Sequence, residues 1–301
     1  MLGAVAIVIA QSGAWTSGLP PECAQASGRA ANVWERAKAP ELGHYCDLVA
    51  SAAAKLVGPG AAPSDAVVAA QQADAVLPGH AAPKALEGRA LVALGRTNDA
   101  AGCLEEARTR DPRALDDPQS LLAWARVLAH AGHAERALGA YRELLPRSTA
   151  LPVADRAVAA AEAGIIALSL GPEQVDVATA ALREAVRQSQ EDTDRVAVLA
   201  LALALDRAGA VDEARALMLD RPPGDPRTAL DGASARQIVD VAPGEAPALV
   251  AYGLESIDPA SARVAWADYA GTKPEGPWAS HARAHAAVLT TRRRGLTRSH
   301  P

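Results

Sequence analysis

The sequence predicts an all-α fold, a right-handed α-solenoid of about seven antiparallel helix hairpins. Three observations carry that prediction. Half of the 301 residues are apolar, yet only 3% are aromatic and there is no Phe. Roughly a quarter are Ala, the strongest helix former, and a sheet core would need more β-branched and aromatic side chains. Finally, Gly95, Gly132, Gly171 and Gly209 follow one another at 37, 39 and 38 residues, and an interval of that size marks a repeated helical unit.

At the amino end, Leu2 to Ala10 is an unbroken apolar run, too short for the ~20 residues that span a bilayer. The small residues Ser12, Gly13 and Ala14 follow it, which suits a cleaved export signal over residues 1–20, although no Lys or Arg precedes the run. The expectation is a bacterial periplasmic or secreted protein; a chain that keeps these residues would be cytoplasmic. Helices over about 22–38 and 41–57 are expected to pair across Ala39 and Pro40, with Trp34 and Tyr45 closing that end. In such a hairpin Cys23 lies ~15 Å along the axis from the position opposite Cys46. A disulfide needs Cα atoms within about 7 Å, so buried thiols are expected for Cys23 and Cys46. Neither their spacing nor that of Cys103 matches a zinc or CxxC pattern.

Through the middle of the chain a small residue stands seven positions before each turn Gly: Gly88, Ala125, Gly164 and Ala202. Seven residues are about two helical turns, so the small residue shares a face with the helix end. After each Gly runs a second apolar stripe. Its members are Ala100, Leu104 and Ala107, then Ala137, Tyr141 and Leu144, then Ala178, Leu182 and Ala185, and finally Ala214 with Met218. Small residues on both helices permit backbones to approach to about 8 Å, and Gly at the turn supplies a left-handed cap. Toward the carboxyl end, Asp258 and Pro259 read as N-cap and first helical residue. Ala262, Trp266 and Tyr269 form the stripe of that helix. A last helix, from Gly276–Pro277 to about Arg293, carries Ala282, Ala286 and Leu289, and Trp278 is expected to close the end of the stack. Residues 21–294 are read as one continuous array without a second domain, and 295–301 as a tail.

Segment 81–112 (AAPKALEGRALVALGRTNDAAGCLEEARTRDP) resembles the tetratricopeptide repeat family. It has the small residue (Gly88), turn Gly (Gly95), close-packing Ala (Ala100), Leu104, second Ala (Ala107) and terminal Asp111–Pro112. Segment 118–146, with Trp124, Ala125, Gly132, Ala137 and Tyr141, matches nearly as well. A weaker copy ends at Pro78, its close-packed positions on Ala54, Ala66 and Ala73. Later copies degenerate, one through the inserted Pro172–Glu173 and the next into Pro222–Pro226, so the pattern is lost after residue 220. The resemblance implies a concave groove lined by the first helix of each hairpin. It would carry Arg89, Arg126 and His130, apolar Leu122, Leu199 and Leu203, and Arg207.

A net charge of −5 argues against a general nucleic-acid binder. The basic terminus at Arg292, Arg293, Arg294 and Arg298 complements the dipole of a helix end. HExxH, phosphate-loop and GxSxG signatures are absent. The expected function is therefore a non-catalytic scaffold that binds a segment of another protein, with no cofactor and no integral membrane segment. An alternative is a metal-dependent or enzymatic protein built on His281 and His285, four apart on one helical face, for which no third ligand lies nearby in sequence. A cytoplasmic regulatory module is the other alternative.

Overall fold

The computed structural model describes residues 20–23, 40–58, 60–189 and 191–298. The proposed export signal, Trp34 and most of the first expected helix lie outside the described residues. Among the described residues every regular element is a helix. Contacts divide the chain into two compact units, with the boundary between Ala123 and Trp124.

The first unit contains α1 (Pro40–Ala54), α2 (Pro63–Val76), α3 (Ala81–Ala93), α4 (Thr97–Arg110) and the start of α5 (Pro118–His130). Helices α1, α2 and α3 each pack on the helix that follows. The α3–α4 hairpin is built as its sequence demands. Gly95 has φ 72°; its N–H donates to the Val92 carbonyl and the next N–H, from Arg96, to Leu91. That pair of bonds is the Schellman closure, open to Gly because a left-handed backbone crowds any Cβ. Ala100, Leu104 and Ala107 are fully buried, and a Cβ added to Gly88 would lie 2.5 Å from Leu104 Cγ. The preceding hairpin differs in detail. Ala66 and Ala73 are buried as expected, but Ala54 is exposed, and Tyr45, Val49 and Ala52 form the inner face of α1.

The expected free thiols at the amino end are corrected. Cys23 and Cys46 form a disulfide with Cα atoms 5.5 Å apart. The contrary expectation placed Cys23 near the far end of a regular hairpin, whereas here residues 20–23 lie against α1, where Tyr45 donates to Glu22 at 2.9 Å.

The second unit continues through α6 (Ala134–Leu144), α7 (Val153–Leu170), α8 (Val175–Gln188), α9 (Glu191–Arg207) and α10 (Val211–Asp220). Gly132 and Gly209 repeat the Gly95 closure bond for bond. Gly171 also has positive φ, 117°, but a short 3₁₀ turn, Pro172–Gln174, follows it, which is where the inserted Pro and Glu go. The stripes at Ala137, Tyr141 and Leu144 and at Ala178, Leu182 and Ala185 are fully buried, as is Ala214. A Cβ on Gly164 would overlap Leu182 Cγ.

The close-packing positions show a chemical pairing. Where the first helix has Gly (88, 164), the residue beneath is Leu, branched at Cγ (104, 182). At the corresponding register where it has Ala (125, 202), the second helix offers the flat Tyr141 or unbranched Met218.

After Asp220 the repeat gives way to α11 (Pro226–Ala229), α12 (Ala233–Asp240), α13 (Ala246–Leu254), α14 (Pro259–Thr272) and α15 (Ala279–Arg298). Asp258 caps α14 through the Ser261 N–H at 3.1 Å, and Ala262, Trp266 and Tyr269 are buried on its inner stripe, both as expected. The last helix runs to Arg298, beyond the expected end near Arg293. These elements fold back on α7 and α9. Helix α12 packs on both, and α13 packs on α9. Gly253 sits so close to Leu199 and Pro226 that a Cβ there would lie 2.6 Å from Pro226 Cβ. Trp278 does not close an open end: it is buried, and its indole N–H donates to the Leu168 carbonyl at 2.6 Å.

Candidate functional site

The residues assigned to a binding groove are largely engaged within their own units. In the first unit, Leu122 is buried and Arg89 is held by Asp117 at 3.3 Å. Asp117 also accepts from the Ser120 N–H at 3.0 Å, so one carboxylate anchors Arg89 and starts α5.

In the second unit His130 is exposed, while Leu199 and Leu203 have no accessible surface. Arg126 Nε donates to both oxygens of Glu162, at 2.9 and 3.2 Å. Glu162 is fully buried and also accepts from Tyr141 (2.9 Å) and from Gln237 of α12 (3.2 Å). Arg207 is sealed beneath the returning helices. It donates to Glu245 at 2.7 Å and to Tyr269 at 3.3 Å, with its guanidinium 4.5 Å from the Trp278 ring centroid. Burial, reinforced by the neighbouring Glu245 charge, pushes the Tyr269 hydroxyl up to about 12. The apolar half of the expected groove is thus corrected: Leu199, Leu203 and Arg207 are interior residues. Arg126 is likewise committed to a buried carboxylate.

The chemistry gathers instead on α9 and α15. His281 and His285 project from one face of α15, and both Nε2 atoms point at one oxygen of Asp206, near the end of α9. The distances from Oδ2 are 2.8 Å to His281 and 3.0 Å to His285. His285 Nδ1 is 2.5 Å from Glu255 Oε1, which also accepts from the Trp266 indole at 2.7 Å. The rings of Trp266 and Trp278 stand edge-on to His281, at 5.9 and 6.1 Å. Burial alone would lower the His285 pKa, but its hydrogen bonds to Asp206 and Glu255 outweigh it and hold the group at about 9. Burial would raise Asp206, yet the two His donors keep its carboxyl well below the usual range. A cavity of about 380 Å³ borders Asp206, Glu255 and His285 and is otherwise lined by residues including Arg215, Met218 and Tyr252.

The spacing of His281 and His285 revealed two members of this cluster; Asp206 and Glu255 are 75 and 30 residues away from their partners. A signal was nonetheless present. Asp206 and Arg207 end a run of apolar residues from Val196 to Leu205, and a charge so placed must find a partner when buried.

No family model matches the sequence, and neither does any curated protein. Among solved structures the chain is similar to YrrB, described as a TPR protein with an unusual peptide-binding site. The TM-score is 0.42 and the identity 16%, over 72% of this chain and 99% of that one. It is also similar to the structure of Naa15/Naa10 bound to HypK-THB, with a TM-score of 0.36 and 14% identity over 83% of this chain and 39% of that one. The hairpin architecture itself rests on the turn geometry and close packing within each unit.

Proposed function

We propose that the protein is a non-catalytic interaction scaffold exported to the bacterial envelope, where it holds a segment of another protein. The observation that carries the scaffold reading is the register of the hairpins. Glycine closures and Gly/Ala contacts recur along α3 to α10, and stacked hairpins of this kind present extended faces suited to protein segments. Contact is proposed on α3 of the first unit, because the equivalent faces of α7 and α9 are covered by α12 to α15. Val92 and Ala93 on α3 keep accessible surface. Export is supported by the apolar run Leu2–Ala10 and by the Cys23–Cys46 bridge, since disulfides persist in oxidising compartments.

The test is capture of partners by native protein and by the exposed-site variant Ala93→Arg, with cross-links mapped by mass spectrometry. A partner cross-linked to α3 and recovered at least tenfold less well by the variant supports the proposal; equal recovery rejects this face. Amino-terminal sequencing and thiol counting of the native product test export. A chain that begins at Met1 with three free thiols rejects it.

A further inference from the structure

We propose that Asp206, His281 and His285 form a three-ligand site for a divalent first-row transition ion of the zinc type. The donor atoms all lie within 4.8 Å of one another, and the two Nε2 atoms converge on the same carboxylate oxygen. Such ions take imidazole nitrogen and carboxylate oxygen at about 2.0–2.2 Å, which sets neighbouring ligand atoms about 3.3 Å apart in a tetrahedral shell. The two imidazole-to-carboxylate separations, 2.8 and 3.0 Å, lie a few tenths of an ångström below that spacing.

The surroundings are those that orient metal ligands. A ligating imidazole usually gives its other nitrogen to a carboxylate, which fixes the ring and the tautomer. Glu255 does this for His285, and Trp266 fixes Glu255 in turn. His281 has no such partner, its Nδ1 being buried without a hydrogen bond, and its ring is set by the two flanking indoles. Two imidazoles with one carboxylate favour zinc, cobalt or nickel over magnesium or calcium, which prefer all-oxygen shells. The adjoining cavity reaches Asp206 and His285 and gives an ion a way in. The sequence alone supplied two histidines; packing of α15 on α9 adds the third donor and the oriented outer carboxylate.

The experiment uses the full chain without a histidine tag, stripped with a chelator and reloaded with Zn²⁺ or Co²⁺. The expected result is one ion per chain, with an X-ray absorption spectrum of the zinc form showing two imidazoles. His281→Ala and Asp206→Asn should each weaken zinc binding at least 100-fold. Glu255→Gln should weaken it about 10- to 100-fold and keep the stoichiometry. Binding by the His281→Ala/His285→Ala variant equal to that of the native chain would overturn the site, as would failure of the native chain to take up zinc at micromolar concentration. If these substitutions prevent folding, the spectrum of the native chain decides: fewer than two imidazoles on the zinc refutes the assignment.

Discussion

Substituting Gly88 by Ala sets two effects against each other, and the structure says which wins. In a helix interior Ala is favoured over Gly by about 0.8–1 kcal/mol. The new methyl, however, would stand 2.5 Å from Leu104 Cγ and 2.7 Å from its Cδ2. Those atoms belong to a side chain with no accessible surface, so the overlap cannot be relieved by swinging the leucine into solvent. Overpacking of this kind costs about 1–3 kcal/mol, leaving a net loss of about 1 kcal/mol. Gly102 is the matched control: it lies in α4 with open space where its Cβ would go, so Gly102→Ala should gain nearly the full helix preference. The two variants should therefore differ by about 2 kcal/mol in urea unfolding. Adding Leu104→Met to Gly88→Ala should recover much of the loss, since the unbranched chain matches the Ala202–Met218 register elsewhere in the sequence. If Gly88→Ala stabilises as much as Gly102→Ala, the close-approach argument fails, and with it the physical basis of the repeat.

Reduction of the Cys23–Cys46 bridge, or Cys23→Ser/Cys46→Ser, should lower stability by up to about 3 kcal/mol, the loop-closure value for a separation of 23 residues; an unfolding midpoint indifferent to reductant would contradict this. Cys103 should alkylate slowly. Burial first, and then the Glu87 carboxylate, push its thiol up to about 11. At pH 8 it should hold about 100-fold less thiolate than an ordinary cysteine, and a labelling rate equal to that of glutathione would refute the burial. Glu245→Gln should leave the buried Arg207 guanidinium without a countercharge and cost about 3–5 kcal/mol in urea unfolding; a loss below about 1 kcal/mol would show that Tyr269 and Trp278 suffice to hold it.

What could be read from the sequence was whatever the chain settles within about forty residues. The glycine closures, the buried second-helix stripes and the Asp258 cap are local chemistry, and they stand where periodicity put them. Contacts reaching further were invisible. Leu199 and Leu203 were expected to face a groove because the register of one hairpin says nothing about what later segments place over it. The disulfide was missed because a regular hairpin was extended back to Cys23. Asp206 lies 75 residues before His281, so nothing within its own hairpin announces the two imidazoles that α15 brings to it. Glu162, alone in the run from Val158 to Leu168, and Asp206 with Arg207 were the warnings. Charges embedded in such apolar stretches meant that something polar had to arrive from elsewhere.

The return of α12 to α15 over α7 and α9 makes the last quarter of the chain the guest in its own host. Ending the protein near Asp220 would not simply shorten it. Glu162 would lose Gln237, Arg207 would lose Glu245, the Leu168 carbonyl would lose an indole donor and Leu199 would lose the backbone pressed against it. The remainder would present a greasy strip studded with stranded charges, a surface primed to seize whatever helix it met first.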